Sequence, residues 1–140
     1  MKTKLIIPMF VLNAALQFGC AQQQATGLHT PPEGSAERKA ILDGLRAHLK
    51  ATGGATHVFV VRKLNVHSGW AWVSVDPQSA DGSKKFETVN GLLHLESGAW
   101  KVKALQPVFG EVEDTDPDYK KWFRHLKEKY PTAPADIFPQ

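Results

Sequence analysis

Three turn signatures, Ser68-Gly69, Asp81-Gly82 and Ser97-Gly98, cut the stretch from His57 to Gln106 into short pieces, and short apolar pieces between such turns are strands. Two of the turns lead directly into tryptophan, in Gly69-Trp70-Ala71-Trp72-Val73 and Gly98-Ala99-Trp100-Lys101-Val102. Four antiparallel strands are expected, at about 57–66, 70–76, 86–96 and 99–106. Alternation places Val58, Val60, Leu64 and Val66 on one side of the first strand and Phe59 and Val61 on the other, so its first half should be covered on both faces. In the second strand Ala71, Val73 and Val75 oppose Trp70 and Trp72. Pro77 should end that strand, and Gly91 should bend the third. Leu93 and Leu95 then oppose Leu92 and His94. In the fourth strand Trp100, Val102 and Ala104 oppose Lys101 and Lys103.

A sheet of this kind needs apolar cover, and helical segments flank it. Ser35 offers an N-cap and Glu37 suits the first turn. Ile41, Leu42, Leu45 and Leu49 follow at helical spacing until Gly53-Gly54, giving a helix over 36–51. Gly44 within it costs up to about 1 kcal/mol relative to alanine, which close approach of another backbone would explain. Beyond an acidic loop with Glu111, Glu113 and Asp114, Asp116-Pro117 starts a second helix. Tyr119, Trp122, Phe123, Leu126 and Tyr130 keep its apolar period until Pro131. The prolines that follow leave the tail extended, with Ile137-Phe138 docked on the body.

The first residues do not belong to this domain. Lys2 and Lys4 precede an apolar run of 12 residues, Leu5 to Leu16, and Gly19-Cys20-Ala21 forms a small-residue exit. The run is too short for a bilayer core of about 30 Å and has the form of a secretory signal. Two processing patterns overlap. Gly19-Cys20 resembles a bacterial lipoprotein site that would acylate Cys20, although Gln17 and Phe18 depart from it. Gly19 and Ala21 instead fit ordinary cleavage after Ala21. Either outcome disposes of the single cysteine, so the mature domain has no disulfide and no cysteine ligand. The expected organisation is a signal at 1–21, a flexible tether at 22–34 and one α+β domain at 35–140.

The chain has 17 Lys and Arg against 14 Asp and Glu; without Lys2 and Lys4 the balance is 15 against 14, a net +1. The high isoelectric point therefore does not point to nucleic acid. His29, His48, His57, His67, His94 and His125 form no short-spaced metal pair, so no metal is expected. There is no Gly-x-Ser-x-Gly and no phosphate loop, since Gly53-Gly54 lacks the spacing and the lysine; no cofactor is expected. His94, alone in mid-strand, is the one candidate proton donor or acceptor. The tryptophans fit two roles. Burial statistics favour a core, and the functional role is a binding face formed by Trp70 and Trp72. The cations of the last helix fit a solvated face, a polyanion patch or an envelope contact.

The order helix, four antiparallel strands, helix resembles cystatin-like and NTF2-like domains, in which a curved sheet wraps a helix. The Gly98-x-Trp100-x-Val102 run is similar to a final-strand signature found there. Ala36-Glu37-Arg38-Lys39-Ala40-Ile41-Leu42-Asp43, Gly69-Trp70-Ala71 and Ile137-Phe138-Pro139 resemble a family of small exported bacterial proteins of unknown function, over about residues 35–139. The resemblance implies the fold and supplies no catalytic residues. The expectation is a non-enzymatic module binding a protein or envelope component, in the periplasm or tethered through Cys20, with Trp70, Trp72 and His94 as binding residues. The alternative is an NTF2-like pocket between sheet and first helix, with His94 inside.

Overall fold

Ser35 and Asp116 open the two long helices, as their side chains suggest. The computed structural model describes residues 26–52, 57–108 and 116–140. Helix α1 runs Ala36–Ala51, and the Ser35 hydroxyl accepts the Arg38 amide at 3.2 Å. Helix α2 runs Pro117–Lys129. The Asp116 carboxylate accepts the amides of Asp118 at 2.7 Å and Tyr119 at 3.4 Å, and Pro117 sits where no amide proton is needed. Between them β1 (Val58–His67), β2 (Trp70–Gln78), β3 (Val89–Glu96) and β4 (Ala99–Leu105) form one open antiparallel sheet in that order. The turns Ser68-Gly69 and Ser97-Gly98 have positive φ at both residues, from 49° to 79°, the hairpin geometry that matches strand twist. The architecture is α+β. Gly53-Gly54, the acidic loop, Cys20 and the leader lie outside the described residues.

The sheet carries a core on each face. On one side Ala71, Val73 and Val75 of β2 join Leu64, Val66, Leu93 and Trp100 beneath Ile41, Leu42 and Leu45 of α1. Gly44 permits this contact: a Cβ there would lie 2.6 Å from the Trp100 carbonyl oxygen. On the other side Trp70, Trp72 and Leu92 are covered by Leu126 of α2 and by Ile137 and Phe138 of the tail. A short 3-10 turn, Ala135–Ile137, fastens that tail. The Asn65 side-chain amide donates to the Ile137 carbonyl at 2.9 Å, and the His67 ring meets Asp136 at 2.8 Å.

Several local expectations are corrected. A bulge between Val61 and Lys63 shifts the phase of β1, so Leu64 and Val66 share the α1 face with Phe59 and Val61. Val58 and Val60 fall on the opposite face and stay 43% and 47% exposed, so the first half of β1 is not covered on both sides. A second irregularity opposite Leu92 and Leu93 leaves Lys103 as an extra residue on β4, which sends Ala104 to the α2 face. Pro77 does not end β2; it pairs with Phe59. Its carbonyl accepts the Phe86 amide at 2.9 Å, so its missing N–H also points away from β1 and the β1–β2 ladder loses no bond there. Strand β3 begins at Val89 rather than Phe86. The preceding loop turns on Asp81, whose carboxylate accepts from Ser79 and Ser83 and is pulled down to about 2 by those bonds.

The described part of the tether, Thr26 to Gly34, lies against the domain. His29 pairs with Val66 through two backbone bonds of 2.9 and 2.8 Å, and Pro31 is buried. The His29 ring is 2.8 Å from the Gly27 carbonyl through Nδ1 and 2.8 Å from the Glu37 carboxylate through Nε2. Both partners are acceptors, so the doubly protonated ring satisfies both contacts. Partial burial pulls the imidazole pKa down, but Gly27 and then Glu37 outweigh it and hold it above 6.5. A pKa raised by folding adds stability that is complete below 6.5 and is lost as pH rises through the raised value. The Val66 amide, which donates to the His29 carbonyl, should therefore lose hydrogen-exchange protection as the pH is raised from 6.5 through the raised pKa of His29. His29→Ala should abolish that dependence, and a protection factor independent of pH in the wild type would refute it.

Candidate binding surface

Alternation along β2 sends Trp70 and Trp72 to one face, but the two rings have different surroundings. Trp72 is 1% exposed. It is enclosed by Phe123, Phe138 and Trp122 at ring-centroid distances of 5.4, 5.5 and 6.3 Å, the spacing of packed aromatic pairs. Trp70 is 5% exposed and lies where α2 ends, 5.8 Å from the Tyr130 ring. Of the two roles open to these tryptophans, burial bears out the core role and corrects the open binding face: α2 and the tail cover both rings, because two large rings on one strand face leave too much apolar surface for water. Trp100 lies in the opposite core against Gly44, and Trp122 is half-buried on α2.

The structure does bring Trp70 and His94 together. The register pairs them across β2 and β3, and the rings stack at 4.0 Å with 19° between planes. The His94 side chain remains 33% exposed. Its Nδ1 is 3.2 Å from Glu96 Oε1, and the same oxygen accepts from Lys103 Nζ at 2.8 Å. Tyr130 closes the group by donating its hydroxyl proton to the Lys103 carbonyl at 3.0 Å. The Lys103 ammonium, and after it the His94 ring, hold the Glu96 carboxyl below the usual glutamate value; the same bond raises Lys103. Glu96, Lys103 and Tyr130 are members that sequence reasoning misses. The β4 irregularity that turns Lys103 toward Glu96 has no signature in alternation, and Tyr130 arrives from a helix 27 residues away.

Chemically this is a half-exposed imidazole on an aromatic base, beside an already neutralised carboxylate. It can form a hydrogen bond and a ring contact with a partner. No serine, threonine or cysteine is hydrogen-bonded to the His94 ring among the described residues, and none of their His, Cys, Asp and Glu side chains group so as to hold a metal ion. The space between α1 and the sheet, where a chamber was the alternative expectation, is filled by Ile41, Leu45, Val73 and Trp100. His94 faces away from it. A concavity of about 590 Å³ opens instead at the end of α1, lined by Leu49, His57, Pro77, Phe86, Glu87 and Val89. There the His57 Nε2 is buried without a hydrogen-bond partner, and its ring meets Phe86 edge-on at 4.5 Å.

Among protein-family models, curated proteins and solved structures, no match to the chain was found.

The different surroundings of the two residues lead to different mutational costs. Trp72→Ala should destabilise the domain by about 3–5 kcal/mol in chemical denaturation, as truncation of an enclosed aromatic does. His94→Gln, at a partly exposed position, should stay within about 0.5 kcal/mol. Equal costs for the two would show that His94 is a structural residue.

Proposed function

We propose that the chain is an exported, non-enzymatic binding domain of the bacterial cell envelope, free in the periplasm or held to a membrane through Cys20, whose partner is a protein or an envelope component. The observation that carries this is the filled interface between α1 and the sheet. With apolar cores on both faces of the sheet, the polar groups that remain to meet a partner are at the surface, His94 with Glu96 and Lys103 among them. The leader with its Lys2, Lys4 and Leu5 to Leu16 pattern supplies the address. The order of helix, antiparallel sheet and helix supports kinship with cystatin-like and NTF2-like domains. Mass spectrometry of the chain recovered from an envelope fraction should give a mature N-terminus at acylated Cys20 or at Gln22. An intact Met1 chain confined to the cytosol would end the export reading.

The small-ligand alternative leaves the filled space between sheet and first helix, and His94, for a different site, the concavity beside His57. Its ligand would be a small aromatic or aliphatic molecule with one hydrogen-bonding group for the unpartnered Nε2. Screening such compounds by methyl NMR should shift Leu49 and Val89 together. If neither methyl responds to any aromatic alcohol or acid at millimolar concentration, the alternative is lost.

A further inference from the structure

Helix α1 and helix α2 use the same side-chain spacings with opposite electrostatic signs. On α1, Lys39 and Arg46 flank Asp43 at i,i+4 and i,i+3, and both bond to its carboxylate, Arg46 at 2.9 Å. On α2, Lys120, Arg124 and Lys127 occupy the same spacings with no carboxylate between them. Like charges at these spacings destabilise a helix. No described acid pairs with any of the three, although Lys103, Arg62 and Arg38 elsewhere each have one. The three cations rim a concavity of about 340 Å³ whose remaining walls include Phe123 and Pro139. Lys127 Nζ also lies 5.6 Å over the Phe138 ring. A cationic rim around apolar walls suits a ligand whose anionic head adjoins an apolar chain.

We infer that this flank of α2 docks on an anionic phospholipid surface, with Lys120, Arg124 and Lys127 taking phosphate oxygens while Phe123 and Pro139 meet the acyl boundary. The inference deepens the envelope reading and rests on it for the membrane's presence. Chain geometry agrees. The Ser68 hydroxyl donates to the Thr26 carbonyl at 3.2 Å and Tyr130 lies near Trp70, so the N-terminal segment and the end of α2 share one end of the sheet. Cys20 is six residues before Thr26, a reach of at most about 20 Å, so a lipid anchor there would hold that end at the bilayer. A diacylated Cys20 would anchor the chain by itself, and the basic flank would then set how the domain lies on the bilayer.

The test uses the mature protein purified from the envelope, with the Cys20→Ser chain in its place where the N-terminal mass shows acylation, co-sedimented at about 0.1 M salt with phosphatidylcholine vesicles, with and without about one-third phosphatidylglycerol. Binding should depend on phosphatidylglycerol. Lys120→Gln/Arg124→Gln/Lys127→Gln should weaken it at least about tenfold, while Lys50→Gln/Lys84→Gln/Lys101→Gln, an equal charge loss elsewhere, should weaken it less than about threefold. The α2 triple should still melt in one cooperative transition, since relief of like-charge repulsion offsets the lost contact between Lys127 and the Phe138 ring. Indifference of the wild type to phosphatidylglycerol or equal losses in the two triples would overturn the lipid site. The N-terminal mass of the same sample separates the two readings. An unprocessed chain that still needs α2 for phosphatidylglycerol refutes export and keeps the site; a processed chain that ignores the lipid does the reverse.

Discussion

The structure depends on the burial of one strand on both faces. Strand β2 is bonded to a neighbour on each side, and its side chains enter two separate cores. The division of sizes along it decides what can lie above and below. Ala71, Val73 and Val75 are small enough for α1 to approach the sheet until Gly44 meets the Trp100 backbone. Trp70 and Trp72 are large enough to reach a thinner cover, made of one helix and an irregular tail, and still be sealed. Each core alone would be modest for a domain of this size without disulfides; sharing β2 lets the burial of one support the geometry of the other.

Much of this is legible in the sequence where the determinant is local. Ser35 and Asp116-Pro117 fix helix starts through single side chains, and Ser-Gly turns fix hairpins through backbone conformation. The split between Trp70 with Trp72 and Ala71 with Val73 and Val75 follows from the pleat. What escapes is phase. Val58-Phe59-Val60-Val61 is apolar in either register, so alternation cannot reveal that the chain gains a residue at Arg62; the adjacent charges Arg62-Lys63 in mid-strand are the only local mark of it. The same blindness misplaces Ala104. Pro77 misleads for a related reason, since whether a proline breaks a ladder depends on which side its missing proton would face. Exposure is another non-local property: nothing in residues 70 to 72 states that Phe138, far along the chain, will close over them.

Of the residues singled out for a site, Trp70 and His94 meet and Trp72 does not join them. His94 owes its surroundings to register, to the extra residue in β4 and to the end of α2, three determinants that no single stretch of sequence contains. Its carboxylate neighbour is already engaged by Lys103, so the cluster is nearly neutral while the flank of α2 carries unbalanced positive charge. The two polar surfaces thus differ in the forces they could exert on a partner. One offers directional contacts at short range, and the other a field that acts before contact and fades with salt.

The fastening of the tail also bears on when this domain can become complete. Asn65 waits on a carbonyl 72 residues later, and His67 on a carboxylate 69 residues later. A chain delivered from its N-terminus, whether from the ribosome or across a membrane, can close α1 over the hairpins early, but Trp72, met first by Trp122 and Phe123, is not sealed until Ile137 and Phe138 arrive. For that interval the nascent sheet has one sealed side and one adhesive side, so a premature stop at Pro134 would release a half-covered species prone to association rather than a shorter domain.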